Sequence, residues 1–152
     1  MLAKKFALGF GIAIIFPMMI HYGVSTFSPK PKWKDYQIKN YYERYKEANP
    51  QEKKQLRAEK NKLENRREKA EKSFQKHLFF VAVPLGIIAI VAGAFLSIQA
   101  IGTGLMFGGI FSICDGYANY WYALGDPLKF ASMLLAFIVL ISIGYKKLDN
   151  KT

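Results

Sequence analysis

One segment constrains the fold of this chain more than any other. The 21 residues from Leu78 to Ile98 contain no charged side chain, and a helix of about 20 apolar residues can cross the hydrocarbon core of a bilayer. Three further apolar stretches occupy residues 6–24, 100–122 and 130–145. Because lipid offers no hydrogen-bond partners to a peptide backbone, each stretch is predicted to be helical. The sequence therefore predicts an all-α protein with four transmembrane helices.

Two of these stretches are less clear-cut than the others. The first has features of a secretory signal peptide, since lysines precede it and the small residues at 23–25 offer a cleavage site. Its apolar run of about 19 residues is longer than the usual ~7–15, so we interpret it as a retained helix. The third stretch is less apolar, because it contains Asp115 and Asn119.

The charges are concentrated in the segment between the first two apolar stretches. Residues 28–77 hold 16 of the 22 Lys and Arg and 8 of the 11 Asp and Glu, a net charge of +8. This separation indicates that the chain faces two solvents, water and lipid. It divides the sequence into a first transmembrane helix (1–27), a basic arm (28–77) and a region of three transmembrane helices (78–152).

The arm itself is predicted to be a helical hairpin. Prolines make its first residues extended, after which a helix fits Trp33–Ala48. Asn49, Pro50 and Glu52 form a helix-start signal with a cap and a capping box. The second helix then continues into the apolar stretch. The 28 residues from 50 to 77 and the preceding part of the arm each span roughly 40 Å. The two legs of the predicted hairpin therefore have matching lengths. The alternative is one solvated helix with an irregular lead-in.

The distribution of basic residues predicts the orientation. Four spans place both termini on one side of the membrane and the arm on the other. The arm side carries 17 Lys and Arg, including Lys129, and the terminal side carries five. Basic residues accumulate in cytoplasmic loops, so we expect a cytoplasmic arm and both termini outside. The lysine pair at 4–5 favours the opposite orientation.

Aromatic residues cluster near the predicted arm-side interface, where Tyr and Trp commonly anchor membrane proteins. An aromatic ligand cage is the alternative interpretation. The predicted belt consists of Tyr22, Trp33, Tyr36, Tyr117, Tyr120, Trp121 and Tyr122.

Small residues recur every fourth position in the third stretch, and such stripes let helix backbones approach closely. The second stretch offers a counterface of small residues at 82, 86, 89, 93 and 97. A short link makes the two helices antiparallel neighbours, so we expect packing within the chain, with homodimerisation as the alternative. The stripe consists of Ala100, Gly104, Gly108, Ser112 and Gly116.

Asp115 is the one acidic residue inside a predicted span, and Asn119 lies one turn away on the same face. A carboxylate within a membrane is a candidate functional site, for a proton or a polar substrate. The alternative is an interfacial Asp115 that reaches water or pairs with Lys129. His21 is interpreted as an interfacial histidine.

No arrangement of residues predicts catalysis. The one cysteine, Cys114, has no basic neighbour in sequence to activate it, and the two histidines do not have metal-ligand spacing. We therefore assign no catalytic, cofactor or metal site and expect no enzyme. The arm's charge fits anionic lipid headgroups or a cytoplasmic protein. Nucleic acid is disfavoured because acidic residues are interleaved, with ribosomal RNA the one exception considered.

Two resemblances bear on function. The predicted topology resembles that of the YidC-type membrane insertases, whose basic cytoplasmic hairpin receives substrates or the ribosome. This chain lacks the basic residue within a span that bacterial members use.

The second resemblance is in sequence. Residues 21–27 with Pro29, Pro31 and Tyr36, together with Tyr120-Trp121 and 144–147, resemble a family of small four-span membrane proteins from candidate-phylum bacteria. That family has no assigned activity, so the resemblance implies a bacterial inner-membrane location and no chemistry.

These observations favour a structural or assembly subunit of a membrane, whose arm contacts anionic lipid or a cytoplasmic partner. A YidC-like insertion factor and a small transporter or channel subunit that acts as an oligomer are the alternatives.

Overall fold

The computed structural model describes residues 2–149, and the side chains of 2–145. Over this range the chain is all-α, without strands. The terminal-side lysines at 146, 147 and 151 lie outside the described side chains. The helices are α1 (Leu2–Phe27), a short 3-10 helix (Trp33–Tyr36), α2 (Tyr41–Glu47), α3 (Pro50–Phe95), α4 (Gln99–Tyr120) and α5 (Asp126–Asp149).

Helix α3 joins the charged arm to the apolar core without a break. It is 46 residues long and continues through Pro84. Its predicted start is confirmed, since Asn49 Oδ1 accepts from the backbone of Glu52 at 2.9 Å and Glu52 Oε2 accepts from the backbone of Asn49 at 3.0 Å. This capping box satisfies two backbone donors at the exposed end of the helix.

The return leg of the arm differs from the prediction. One helix over Trp33–Ala48 was expected, but the structure has the 3-10 helix and the seven-residue α2, separated by a turn. Asn40 adopts a left-handed conformation, with φ of 53°, which asparagine tolerates better than most residues. A left-handed residue interrupts an α-helix, so the predicted helix is wrong in extent.

Helices α1, α3 and α4 form the packed core. Helix α4 runs antiparallel to α3, because Gly93 faces Gly102 while Gly86 faces Gly109. Helix α1 runs parallel to α4 and antiparallel to α3. One apolar cluster joins α1 to α3 through Ile20, Val24, Phe74, Leu78 and Ala82.

Helix α5 is attached to this core mainly at its beginning. Tyr117 and Leu124 are buried against Phe79 and Val83 of α3, and the Tyr117 hydroxyl donates to Ser132 of α5. The most apolar 18-residue window within Asp126–Tyr145 contains no buried residue. Most of the apolar surface of α5 is therefore exposed in the described part of the chain.

Three helices are long and apolar enough to cross a membrane: α1, α3, and α5 over Asp126–Tyr145. This is compatible with an integral membrane protein. The 22-residue α4 is not one of the three, since its glycines and Asp115 lower its apolar character.

Candidate functional site

Glycines bring the backbones of α3 and α4 into close contact. A Cβ atom added to Gly86 would lie 2.6 Å from the carbonyl oxygen of Gly109, and one added to Gly93 equally close to that of Gly102. Such distances leave no room for a side chain. Of the other predicted counterface residues, Ala82 and Ala89 are buried, whereas Ser97 lies beyond the end of α3 and is exposed.

The small-residue stripe of α4 contacts two helices rather than one. Gly104 meets the backbone of Gly9 in α1, and Gly108 meets Phe16. Gly116 instead faces Ala82 of α3. A step of four residues turns the helix about 40° past a full turn, so the stripe rotates by about 160° from Ala100 to Gly116. Ser112 is buried and donates to the carbonyl of Gly108 at 2.8 Å.

A polar network links the arm-side ends of α1 and α4. His21 Nδ1 lies 2.9 Å from Asp115 Oδ2. Because a carboxylate can only accept, the Nδ1 proton is donated to it. Asn119 donates from Nδ2 to Asp115 Oδ1 at 2.9 Å and to the Asp115 carbonyl at 2.9 Å. Both carboxylate oxygens are therefore hydrogen bonded.

Lys129, which with water was an alternative partner for Asp115, pairs with Asp126 instead. Its Nζ lies 3.1 Å from Asp126 Oδ1 and 4.8 Å above the ring centroid of Trp121. The alternative that pairs Asp115 with Lys129 is wrong. Sequence reasoning missed the pair with His21, although a signal existed. His21 lies six residues before the end of α1, and Asp115 lies five residues before the end of α4.

The network borders a small cleft that is otherwise apolar. The cleft has a volume of about 440 Å³. His21 and Asp115 are only partly exposed, at 27% and 33% of their side-chain surface. The His21 ring also packs edge-on against Phe74, with ring centroids 5.6 Å apart. The remaining lining residues are Ile14, Pro17, Met18, Tyr22 and Phe111.

This arrangement can hold a proton and fix two helices, and it offers no further chemistry among the described residues. The Ser25 hydroxyl of α1 donates to the His21 carbonyl at 2.9 Å. The side chains described, those of residues 2–145, include no group of three suited to a metal ion. Cys114 is exposed.

The predicted aromatic belt divides into three groups. Tyr117 and Tyr120 pack against the ring of Phe79, with centroids 5.2 and 5.7 Å away. Trp33 lies under Arg67 of the arm, and Tyr36 is partly exposed. Tyr22, Trp121 and Tyr122 are exposed. Trp33 is also 58% exposed, so Tyr22, Trp33, Trp121 and Tyr122 are the belt residues with the most surface available to an interface.

The segment before α2 and α2 itself lie along α3 in the opposite direction. His77 Nδ1 is 3.0 Å from the Ser28 hydroxyl, and Arg67 is 4.1 Å from the ring centroid of Trp33. Further out, Lys60 lies 5.2 Å from the ring centroid of Tyr41. Arg57 donates to the Tyr45 hydroxyl and lies 5.3 Å from its ring centroid. One face of the α3 arm is thus occupied by aromatic rings.

The opposite face of the α3 arm carries lysines, a feature that sequence reasoning missed. At about 100° per residue, five lysines fall within about 45° of one line along the helix, and no glutamate of the arm lies within about 75° of that line. All five are exposed. Glu68, at the edge of this face, lies 3.7 Å from Lys72. We call this surface the lysine face: Lys54, Lys62, Lys69, Lys72 and Lys76.

Comparison with protein-family models, with curated proteins and with solved structures finds no match to this chain.

Proposed function

We propose that this chain is an integral membrane protein with four spans, which serves as a structural or assembly subunit and presents the lysine face of its arm to an acidic protein in the cytoplasm. The observation that carries the proposal is the unbroken 46-residue α3. Because no hinge separates its apolar half from its charged half, a core fixed in the bilayer would hold the arm rigidly outside it.

The packing of α4 supports four spans rather than three. Helix α4 is 22 residues long, about 33 Å at 1.5 Å per residue, which matches the ~30 Å hydrocarbon core. It packs between α1 and α3, whose apolar segments are long enough to span. Its one acidic residue, Asp115, is paired with His21, so the charge is not left alone in lipid.

The orientation rests on the basic residues of the arm. Sixteen Lys and Arg between 28 and 77 favour the cytoplasmic side. The resemblance noted above supports a bacterial inner membrane.

The length of the arm decides which part of the lysine face can meet lipid. Lys72 and Lys76 lie within about 9 Å of Leu78 along the helix, close to the headgroup layer. Lys62 and Lys54 lie about 24 and 36 Å from it. The surface potential of anionic lipid falls off within a Debye length, about 8 Å. The two outer lysines are therefore placed for a soluble partner.

The spacing of the lysines favours a protein partner over RNA. Successive pairs at 54 and 62, and at 62 and 69, are seven or eight residues apart, about 11 Å. This repeat of two helical turns matches acidic side chains on a partner helix. RNA-binding surfaces commonly use arginine and aromatic side chains to stack on bases. The lysine face carries neither. We propose no enzymatic activity.

Affinity purification from cells with a charge-reversed arm tests the proposal. We would purify the tagged full chain in mild detergent and quantify what accompanies it. The variant with Lys54→Glu and Lys62→Glu should lose a stoichiometric acidic protein at least tenfold, because each reversal replaces an attraction with a repulsion. Lys39→Glu with Lys46→Glu is the matched control, since it changes the net charge equally on exposed positions of the return leg.

Three results would contradict the proposal. One is a partner retained by the lysine-face variant, and another is a partner lost equally in the control. Recovery of ribosomes or nascent chains in place of an acidic protein would favour the membrane-insertion function.

A further inference from the structure

A second, larger groove runs between α1 and α4 on the side that α3 and α5 leave open. Its volume is about 940 Å³, within the range of ~300–1,000 Å³ that is usual for ligand sites. Gly9, Ala13 and Gly104 form its floor. Pairs of phenylalanines at 6 and 10 and at 107 and 111 flank it, with ring centroids 6.2 and 6.4 Å apart within each pair.

The two ends of this groove differ in polarity. Lys5 and Gln99 lie at the terminal-side end, where α1 and α4 both begin. Lys5 is the one charged side chain among the lining residues that the structure describes. The other end, at Ala13 and Phe111, is apolar. The groove therefore has a cationic mouth and an apolar interior.

The length of the groove matches one leaflet of a bilayer. From Leu2 to Ala13 and from Gln99 to Phe111 it follows 12 or 13 residues of each helix, about 17 Å. Half of the hydrocarbon core is about 15 Å. A chain that enters at Lys5 would thus end near the bilayer midplane.

We propose that this groove binds one anionic phospholipid of the leaflet on the terminal side, with its phosphate on Lys5 and one acyl chain between the phenylalanine pairs. The glycines of the floor do not offer a docking stripe to another helix. Gly104 is already in backbone contact with Gly9, so the α1–α4 contact itself uses the space that their missing side chains leave. The proposal requires insertion in the membrane but not the proposed role of the arm.

Native mass spectrometry of the full chain tests this site. We would purify it in mild detergent and add phosphatidylglycerol or phosphatidylethanolamine with identical acyl chains. One phosphatidylglycerol should be retained in preference to phosphatidylethanolamine. Lys5→Gln should reduce that preference about fivefold, the effect typical of one basic residue near anionic lipid. Lys4→Gln, one residue away and outside the groove lining, should not change it.

A second pair of variants tests the groove interior. Thr103 is exposed and lines the groove, so Thr103→Trp should fill it and abolish retention of either lipid. Ala118→Trp, at an exposed position of the same helix outside the groove, should retain the lipid. Equal retention of both lipids by the unmodified chain, equal effects of Lys4→Gln and Lys5→Gln, or a Thr103→Trp variant that still holds lipid would each overturn the proposal. So would a second copy of the chain in the groove, seen as a dimer that Thr103→Trp disrupts.

Discussion

At the scale of single residues, the pair of His21 and Asp115 is the most informative contact. It joins two helices through atoms 2.9 Å apart, and Asn119 occupies the second carboxylate oxygen. Hydrogen bonds between helices in a membrane stabilise a bundle by about 0.6–2 kcal/mol. The pair therefore contributes a small part of the stability of the bundle, and it joins α1 to α4 at one defined position.

A double-mutant cycle measures this coupling. His21→Ala and Asp115→Ala should each lower the free energy of unfolding in mixed micelles, because each leaves one partner without its hydrogen bond. Their interaction energy should be about 0.6–2 kcal/mol. The same cycle with His21→Ala and Cys114→Ala should give no coupling, since Cys114 is exposed. Additive effects of His21→Ala and Asp115→Ala would show that the pair does not form.

The sequence reveals both members of this pair as polar residues near the ends of their spans, but not the pairing itself. Whether His21 meets Asp115 depends on how α1 is rotated against α4. That rotation is fixed by the backbone contact of Gly9 with Gly104. The stripe of small residues in the sequence does not show which helix Gly104 contacts.

At the scale of elements, the α3–α4 contact organises the core. Glycines on both helices bring the backbones together at Gly86 and Gly93. Close approach of this kind supplies the dispersion contacts that hold helices together in lipid, where no hydrophobic driving force acts between them.

Adding a side chain at this contact should destabilise the bundle. Gly86→Val places a Cβ atom 2.6 Å from a backbone oxygen, so the helices must separate, at a cost of about 1–3 kcal/mol. Gly11→Val is the matched control, because nothing lies within 4 Å of a Cβ at that position. Unfolding in mixed micelles should distinguish the two. Equal stability of both variants would refute the α3–α4 packing described here.

The return leg of the arm is predicted to depend on its aromatic contacts with α3. Trp33→Ala removes the ring beneath Arg67, a contact typically worth about 0.5–1 kcal/mol at an exposed site. Amide hydrogen exchange over residues 33–47 should therefore accelerate about two- to fivefold. Tyr42→Ala, at a residue 78% exposed, should leave the exchange unchanged. If both variants behave alike, the leg is not held by this stack.

Local sequence patterns predict some helix boundaries of the arm correctly and others incorrectly. Asn49, Pro50 and Glu52 predict the start of α3 correctly, because a capping box is local. The aromatic residues between Trp33 and Ala48 satisfy helical spacing, so one helix was expected there. It does not form as one element because Asn40 takes a left-handed conformation. The contacts of Trp33 and Tyr41 with distant cations of α3 lie beyond any local pattern.

For the whole molecule, the separation of charged from apolar residues is the most predictive feature of the sequence. It predicts membrane-spanning helices joined by a water-exposed arm, and the structure has three helices long and apolar enough to span a membrane. The lysine face emerges only when the return leg is seen to cover the opposite side of α3. Sequence spacing alone does not show which side is covered.

In the proposed topology, α3 passes from an arm in the cytoplasm to a turn on the outer side of the membrane. We would test this topology by cysteine labelling in intact cells, in a Cys114→Ser background. Gln55→Cys lies on the arm and Ser97→Cys lies in the turn between α3 and α4, both at exposed positions. A membrane-impermeant maleimide should label Ser97→Cys, and should label Gln55→Cys only after the cells are opened. Labelling of Gln55→Cys in intact cells would contradict this topology.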